Sequence, residues 1–175
     1  MGREVRRVSP NWEHPKDERG AYVPLFDGAS DAAQTAIARW QEGKEQWEAG
    51  YRESFDTPKV WQPLVPAEGK YTWEAWAGEC PDPADYMPDF GDKATHFQMY
   101  ETCTEGTPIS PVVATPEVLA RWLADNGASA FGGMTASYEQ WLAMIGRGWA
   151  PSAMVSAETG LVSGVEAVGT WKEGR

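Results

Sequence analysis

The sequence predicts a small α+β protein: an antiparallel sheet with three or four helices packed on one face, and aromatic-rich irregular segments. Two observations support this class. Segments with helical spacing of apolar residues are interspersed with segments of strand composition. The chain has 175 residues, of which 42% are hydrophobic and ten are tryptophan, so one core is expected. A disordered chain, a collagen-like repeat and a disulfide scaffold are poor descriptions of it.

One domain is expected over residues 1–175, beginning with an extended N-terminal arm over residues 1–29 in which turn and breaker pairs recur. A helix is expected over residues 30–53, with Ser30 as its N-cap. Apolar residues recur along it at helical spacing: Ala33, Ile37, Trp40, Trp47 and Tyr51. Gly43 inside this helix indicates a kink or a close contact.

Residues 54–94 are predicted to be irregular, because their frequent prolines remove backbone donors and restrict the preceding residues. A short helix is expected over 72–77, with Thr72 as its cap and Gly78 at its end. One further helical turn is expected at 83–86. The aromatic residues of this segment carry too much apolar area for a free linker, so we expect them to pack.

Residues 95–168 are predicted to form a compact α+β part. A strand is expected over 96–102, with Phe97, Met99 and Glu101 on one face. Two helices are expected to begin after Thr115 and Ser137, where capping residues precede apolar stripes. Two strands around Gly160 have the form of a β-hairpin, and residues 169–175 are expected to be a frayed tail in which only Trp171 docks.

The net charge of −11 opposes direct binding to nucleic acid or to an anionic membrane. Residues 71–111 contain eight acidic residues and one basic residue, so the imbalance is central. One interpretation is a solvated acidic loop that keeps the protein soluble. The sharper interpretation is a negative surface that meets a basic protein partner and competes with nucleic acid for it.

The sequence indicates no cofactor, no structural metal and no known catalytic motif. Its two cysteines, Cys80 and Cys103, are expected to be reduced thiols, and no zinc-ligand spacing accompanies them. No run of residues approaches the apolar length of a membrane span, and residues 1–7 lack the apolar stretch of a secretory signal. A cytoplasmic location is therefore expected.

The candidate binding residues combine carboxylates, a histidine and aromatic rings: Trp73, Trp76, Asp82, Asp85, Tyr86, Asp89, His96, Glu101 and Glu105. Exposed aromatic anchors beside acidic groups favour recognition of a protein. The same carboxylates brought together around a pocket favour ligand binding or acid-base chemistry. The folded arrangement of residues 71–111 distinguishes an outward docking area from a convergent site.

Several strings of the sequence resemble a group of small, uncharacterised proteins encoded by tailed bacteriophages and prophages. The similar block covers residues 71–168, and Arg3–Val8 resembles the opening of that group. The most distinctive strings are Glu105–Pro111, which reads EGTPISP, and Thr115–Leu123, which reads TPEVLARWL. The resemblance implies a phage gene product acting in a bacterial cytoplasm, and it carries no catalytic assignment.

Three hypotheses for the function follow. The first is a non-enzymatic, phage-encoded accessory protein that binds a host or phage macromolecule, with counter-defence inhibition or host takeover as its purpose. The second is an enzyme or small-ligand binder with a carboxylate-rich site. The third is a virion or assembly component. The sequence indicates no particular oligomeric state.

Overall fold

The structure, a computed structural model, describes residues 2–28, 31–104, 106–156 and 160–170, and it confirms the α+β class. Its strands are β1 (Gly2–Val8), β2 (Tyr51–Glu53), β3 (Trp61–Pro63), β4 (His96–Glu101), β5 (Thr107–Pro108), β6 (Trp149–Pro151), β7 (Ala153–Ser156) and β8 (Gly160–Ser163). Its α-helices are α1 (Ala32–Glu48), α2 (Trp73–Ala77), α3 (Pro116–Asp125), α4 (Tyr138–Arg147) and α5 (Gly164–Thr170). None of these helices combines the length and apolar character that crossing a membrane requires.

The chain folds into two compact units. We call Met1–Asp27 with Phe90–Arg175 the sheet unit, and Gly28–Asp89 the tryptophan unit. The sequence predicts one domain over the same residues, so the division between the units is a finding of the structure. Each unit is built around its own buried side chains.

The sheet unit contains a four-stranded antiparallel sheet in the order β5-β4-β1-β6. Strand β1 is therefore an interior strand of a sheet, whereas residues 1–29 are expected to form an extended arm. Alternating apolar and polar residues are the usual sequence signal of a strand, but two of the buried residues of β1 are Arg3 and Arg6. The sequence of β1 therefore lacks the pattern that predicts a strand. In the register of β1 and β4, Val5 lies opposite Met99.

Helices α3, α4 and α5 share one core with the sheet. Its buried residues are Met99, Leu119, Ala120, Leu123, Ala130, Trp141, Met144, Ile145, Ala150, Val165 and Val168. The predicted starts of α3 and α4 are confirmed: Thr115 accepts the Val118 N–H, and Ser137 and Gln140 cap each other's backbone. This reciprocal cap satisfies two N–H groups that the first turn leaves without partners.

The C-terminal hairpin is confirmed in its pairing, because β7 and β8 are antiparallel. Helix α5 begins directly after it, where the sequence predicts the end of a strand and then a frayed tail. Ser163 caps this helix by accepting the Glu166 N–H. Trp171 and hairpin residues 157–159 lie outside the described residues.

In the tryptophan unit, α1 ends at Glu48, not at the expected residue 53. Gly50 has a left-handed φ of 88°, which turns the chain so that residues 51–53 pair with β3. The close contact expected at Gly43 is confirmed, since a side chain there would overlap the ring of Trp73. Ser30, the expected N-cap, lies outside the described residues.

The irregular segment of the tryptophan unit contains the predicted short elements. Thr72 caps α2 by accepting the Ala75 N–H, and Gly78 ends this helix. A 3₁₀ turn occupies Pro83–Asp85. The expected density of breakers thus coexists with local order, because capping side chains accept hydrogen bonds from the N–H groups that open these short elements.

Candidate functional site

Aromatic rings in the tryptophan unit form a connected cluster that reaches the surface. The ring of Trp76 has its centroid 5.0 Å from that of Trp47, 6.3 Å from Phe55 and 6.5 Å from Tyr71. Trp47 is buried, whereas Phe55, Tyr71 and Trp76 are 76%, 55% and 37% exposed. We call these three residues the aromatic surface. Its central ring is held against a buried tryptophan, so it is ordered before any partner arrives.

The tryptophan unit is acidic. It contains twelve Asp or Glu residues and five Lys or Arg residues, a balance of −7. Three of its cations are already paired inside the unit: Arg39 with Glu53 at 3.0 Å, Lys44 with Glu74 at 2.7 Å, and Arg52 with Glu68 at 2.8 Å. The net charge of the unit is therefore negative, and it favours a positively charged partner.

One contact within the tryptophan unit places a cation against a ring of the aromatic surface. The guanidinium carbon of Arg52 lies 4.4 Å from the ring centroid of Phe55. Guanidinium groups stack favourably on aromatic faces, and such pairs contribute about 0.5–1 kcal/mol at exposed sites. The same chemistry is available at the exposed rings of Tyr71 and Trp76.

Six of the predicted site residues belong to the tryptophan unit. Trp73 and Tyr86 are half-buried, whereas Trp76, Asp82, Asp85 and Asp89 are exposed. Asp82 has a structural task, because its side chain accepts the Ala84 N–H at 2.8 Å and caps the 3₁₀ turn. That bond agrees with the turn role that its proline neighbour suggests.

The other three predicted residues belong to the sheet-unit sequence. His96 and Glu101 lie near opposite ends and on opposite faces of β4, so this strand does not bring them together. Glu101 instead pairs with Arg3 at 2.7 Å. Glu105 lies outside the described residues. Within the described ranges, no three His, Cys, Asp or Glu side chains are grouped so that they could hold a metal ion.

A concave site that sequence reasoning missed lies in the sheet unit. We call it the arm cleft, because residues of the N-terminal arm form one wall. It is an open cleft of about 940 Å³ whose ring-bearing lining residues are Trp12, His14, Pro15, Tyr22, Pro108, Pro111 and Trp122. These residues come from three distant segments of the chain, so no local sequence pattern predicts the cleft. The only early signal is the aromatic content of the arm.

A polar network around Tyr100 fixes the arm beside the cleft. Trp12 Nε1 donates to the Tyr100 hydroxyl at 3.1 Å, and this hydroxyl donates to Gln98 Oε1 at 2.8 Å. His14 Nε2 lies 2.7 Å from the Val23 carbonyl oxygen. Because a carbonyl only accepts, Nε2 carries the proton, and Nδ1 faces the Tyr100 hydroxyl at 3.3 Å.

Burial controls protonation in this network. It lowers the pKa of His14, because an imidazolium would lose its hydration, and the nearby Arg6 charge acts in the same direction. It also raises the pKa of Tyr100 to about 12. Both groups are therefore neutral at pH 7, and the network holds through neutral hydrogen bonds.

The lowered pKa of His14 makes the stability of the sheet unit pH-dependent. Above about pH 6.5, His14 is neutral in both folded and unfolded chains, so its contribution is fully present. Below that pH the unfolded chain takes up the proton first, and the free energy of unfolding should fall by at most about 1.4 kcal/mol per pH unit. Urea unfolding between about pH 7.5 and about pH 5 measures this slope.

Two histidine variants test this explanation: His14→Phe removes the group concerned, and His96→Gln is the matched control. His14→Phe should flatten the stability profile over this interval, whereas His96→Gln should keep it. An unchanged slope in His14→Phe would show that other groups produce it.

Together the geometry defines an α+β protein with two candidate binding regions, the aromatic surface and the arm cleft. No protein-family model, curated protein or solved structure gives a significant match to this chain. Its function is therefore inferred from the contacts of its own residues.

Proposed function

We propose that this is a phage-encoded, non-enzymatic accessory protein that binds a basic partner protein through the aromatic surface and the acidic residues of the tryptophan unit. One observation carries the proposal: three exposed rings lie together on a unit whose charge balance is −7. Aromatic anchors supply most of the binding free energy in protein interfaces, and complementary charge speeds association.

The partner chemistry follows from these two properties. Arginine combines a positive charge with a planar group that stacks on rings, so an arginine-rich surface satisfies both. Lysine satisfies the charge but presents no planar face. Arginine-rich surfaces are typical of nucleic-acid-binding proteins, whose affinity comes from cations that neutralise phosphates.

We therefore place the protein in the cytoplasm of a bacterial host, where it occupies the nucleic-acid site of a basic protein. Such competition is the action expected of a counter-defence inhibitor. The phage-like strings of the sequence support this setting, and the acidic aromatic surface supports this mode of action.

The proposal is tested by titrating the full chain with an arginine-rich peptide and with a lysine-rich peptide of equal length and charge. We expect tighter binding of the arginine-rich peptide, weakening as salt rises from about 50 to about 200 mM. Trp76→Ala should weaken it by about tenfold or more, since a central aromatic anchor contributes about 1.4 kcal/mol or more. Calorimetry measures both effects.

Trp149→Ala is the matched control, because Trp149 is an exposed tryptophan of the sheet unit, 47% accessible. It should leave the affinity unchanged. The wild-type chain, but not Trp76→Ala at the same concentration, should displace a fluorescent DNA duplex from the arginine-rich peptide. Binding that is insensitive to salt, or equal in the two variants, would contradict the proposal.

A further inference from the structure

Three side-chain hydrogen-bonding groups beside the arm cleft are already used by the protein. Trp12 Nε1 donates to the Tyr100 hydroxyl, and His14 Nε2 donates to the Val23 carbonyl. Gln98 Nε2 donates to the Ser110 carbonyl at 2.9 Å. A ligand recognised through many directional hydrogen bonds, such as a sugar, would compete with these bonds for its partners.

The backbone along one wall of the cleft is also unsuited to pairing with an added strand. Pro108 and Pro111 have no N–H group, and the Ile109 N–H donates to the Met99 carbonyl at 2.8 Å. Addition of a peptide strand to a sheet edge depends on a row of free backbone donors and acceptors. Prolines at an edge block such pairing.

The charges of the lining nearly cancel. Glu13 and Lys16 have opposite signs, and His14 is neutral at pH 7 because burial lowers its pKa. The Lys16 ammonium lies 4.9 Å from the ring centroid of Tyr22, so it is partly engaged by the cleft itself. A phosphate-bearing ligand therefore finds no cluster of cations in this lining.

What the cleft does offer is a set of ring faces. Trp12 is held in place, with its ring perpendicular to that of His14 and packed at 5.0 Å from Phe90. Tyr22 is 42% exposed and Trp122 is half-buried. Aromatic rings and proline rings that line one cleft suit a ligand that presents rigid apolar ridges and needs few hydrogen bonds.

We propose that the arm cleft binds a proline-rich peptide segment in the polyproline II conformation. This conformation has no internal hydrogen bonds and is largely formed before binding, so it loses little entropy when its rings pack between aromatic side chains. The inference goes beyond the proposed function, since it concerns a different site in the sheet unit and a neutral ligand.

The test is a titration of the full chain with decaproline, with a glycine-serine peptide of the same length as control. We expect saturable binding of decaproline only, with the indole N–H resonances of Trp12 and Trp122 shifting in NMR spectra. Tyr22→Ala should weaken binding by about tenfold or more, whereas Trp149→Ala should change it by less than about twofold.

A second variant separates loss of a ligand contact from loss of the fold. Tyr22→Phe keeps the ring and should bind decaproline within about threefold of wild type, and circular dichroism should show both Tyr22 variants folded. Absence of saturable binding, equal binding of the glycine-serine peptide, or tighter binding of a neutral oligosaccharide such as cellohexaose would overturn the inference. The outcome of the decaproline titration is independent of the arginine-peptide titration, because Tyr22 belongs to the sheet unit and Trp76 to the tryptophan unit.

Discussion

Trp141→Ala is expected to destabilise the protein by about 3–5 kcal/mol, which lowers the midpoint of thermal unfolding by about 6–20 °C. Trp141 is fully buried in the core shared by α3, α4, α5 and the sheet. Its removal leaves a cavity at the centre of that core. Because whole domains are stable by only about 5–15 kcal/mol, this one change removes a large fraction of the stability.

The indole nitrogen of Trp141 refines this expectation. It is buried without a hydrogen-bond partner among the described residues. Trp141→Phe therefore loses part of the packing but also removes an unsatisfied donor, and it should cost less than Trp141→Ala. Trp149→Ala, at a position that is 47% exposed, should cost much less than Trp141→Ala. Urea unfolding followed by near-ultraviolet circular dichroism measures all three, and equal effects of Trp141→Ala and Trp149→Ala would contradict this account of the core.

Local signals explain which elements the sequence predicts well. Helices α3 and α4 begin at side chains that cap their own first turns, Thr115 and Ser137, so their positions depend on residues three apart. Strand β4 is expected from its strand composition. Helix α2 is correctly expected for the same reason as α3, since Thr72 caps it.

The elements that sequence reasoning misses depend on distant partners. Strand β1 becomes a strand because it pairs with β4, roughly a hundred residues later in the chain, and its buried arginines hide the alternation. Helix α5 follows a Ser163 cap, but glycines at both of its ends weaken its helical signal.

The two candidate sites differ in the same respect, since one follows from composition and the other from tertiary structure. The aromatic and acidic character of the tryptophan unit is a property of composition, so the sequence predicts Trp76 and Asp85 as exposed binding residues. The arm cleft is a property of tertiary structure: Tyr22, Pro111 and Trp122 meet only after β4 and α3 are in place. Glu101 illustrates the reverse case, a predicted site residue whose partner is a buried arginine.

The ion pair of Arg3 and Glu101 is expected to be costly to break by removing one partner, because the other charge is then left buried alone. Arg3 is 2% exposed, its Nη1 donates to Glu101 Oε1 at 2.7 Å, and its Nε donates to the Ser129 carbonyl at 2.8 Å. Glu101→Gln leaves a buried guanidinium without a counter-charge, which should cost about 3–5 kcal/mol. Glu18→Gln, at an exposed position, should cost less than about 0.5 kcal/mol.

A double-mutant cycle decides whether Glu101 belongs to the fold or to a reactive site. Arg3→Met with Glu101→Gln removes both charges, so the double variant should be destabilised by about 1–3 kcal/mol less than the sum of the single variants. This saving arises because neither charge is left buried alone. Additive effects in urea unfolding would show that the two groups act independently, and they would return Glu101 to the candidates for acid-base chemistry. The cross-strand position of the two residues, Arg3 directly opposite Glu101 on β1 and β4, is the reason to expect coupling instead.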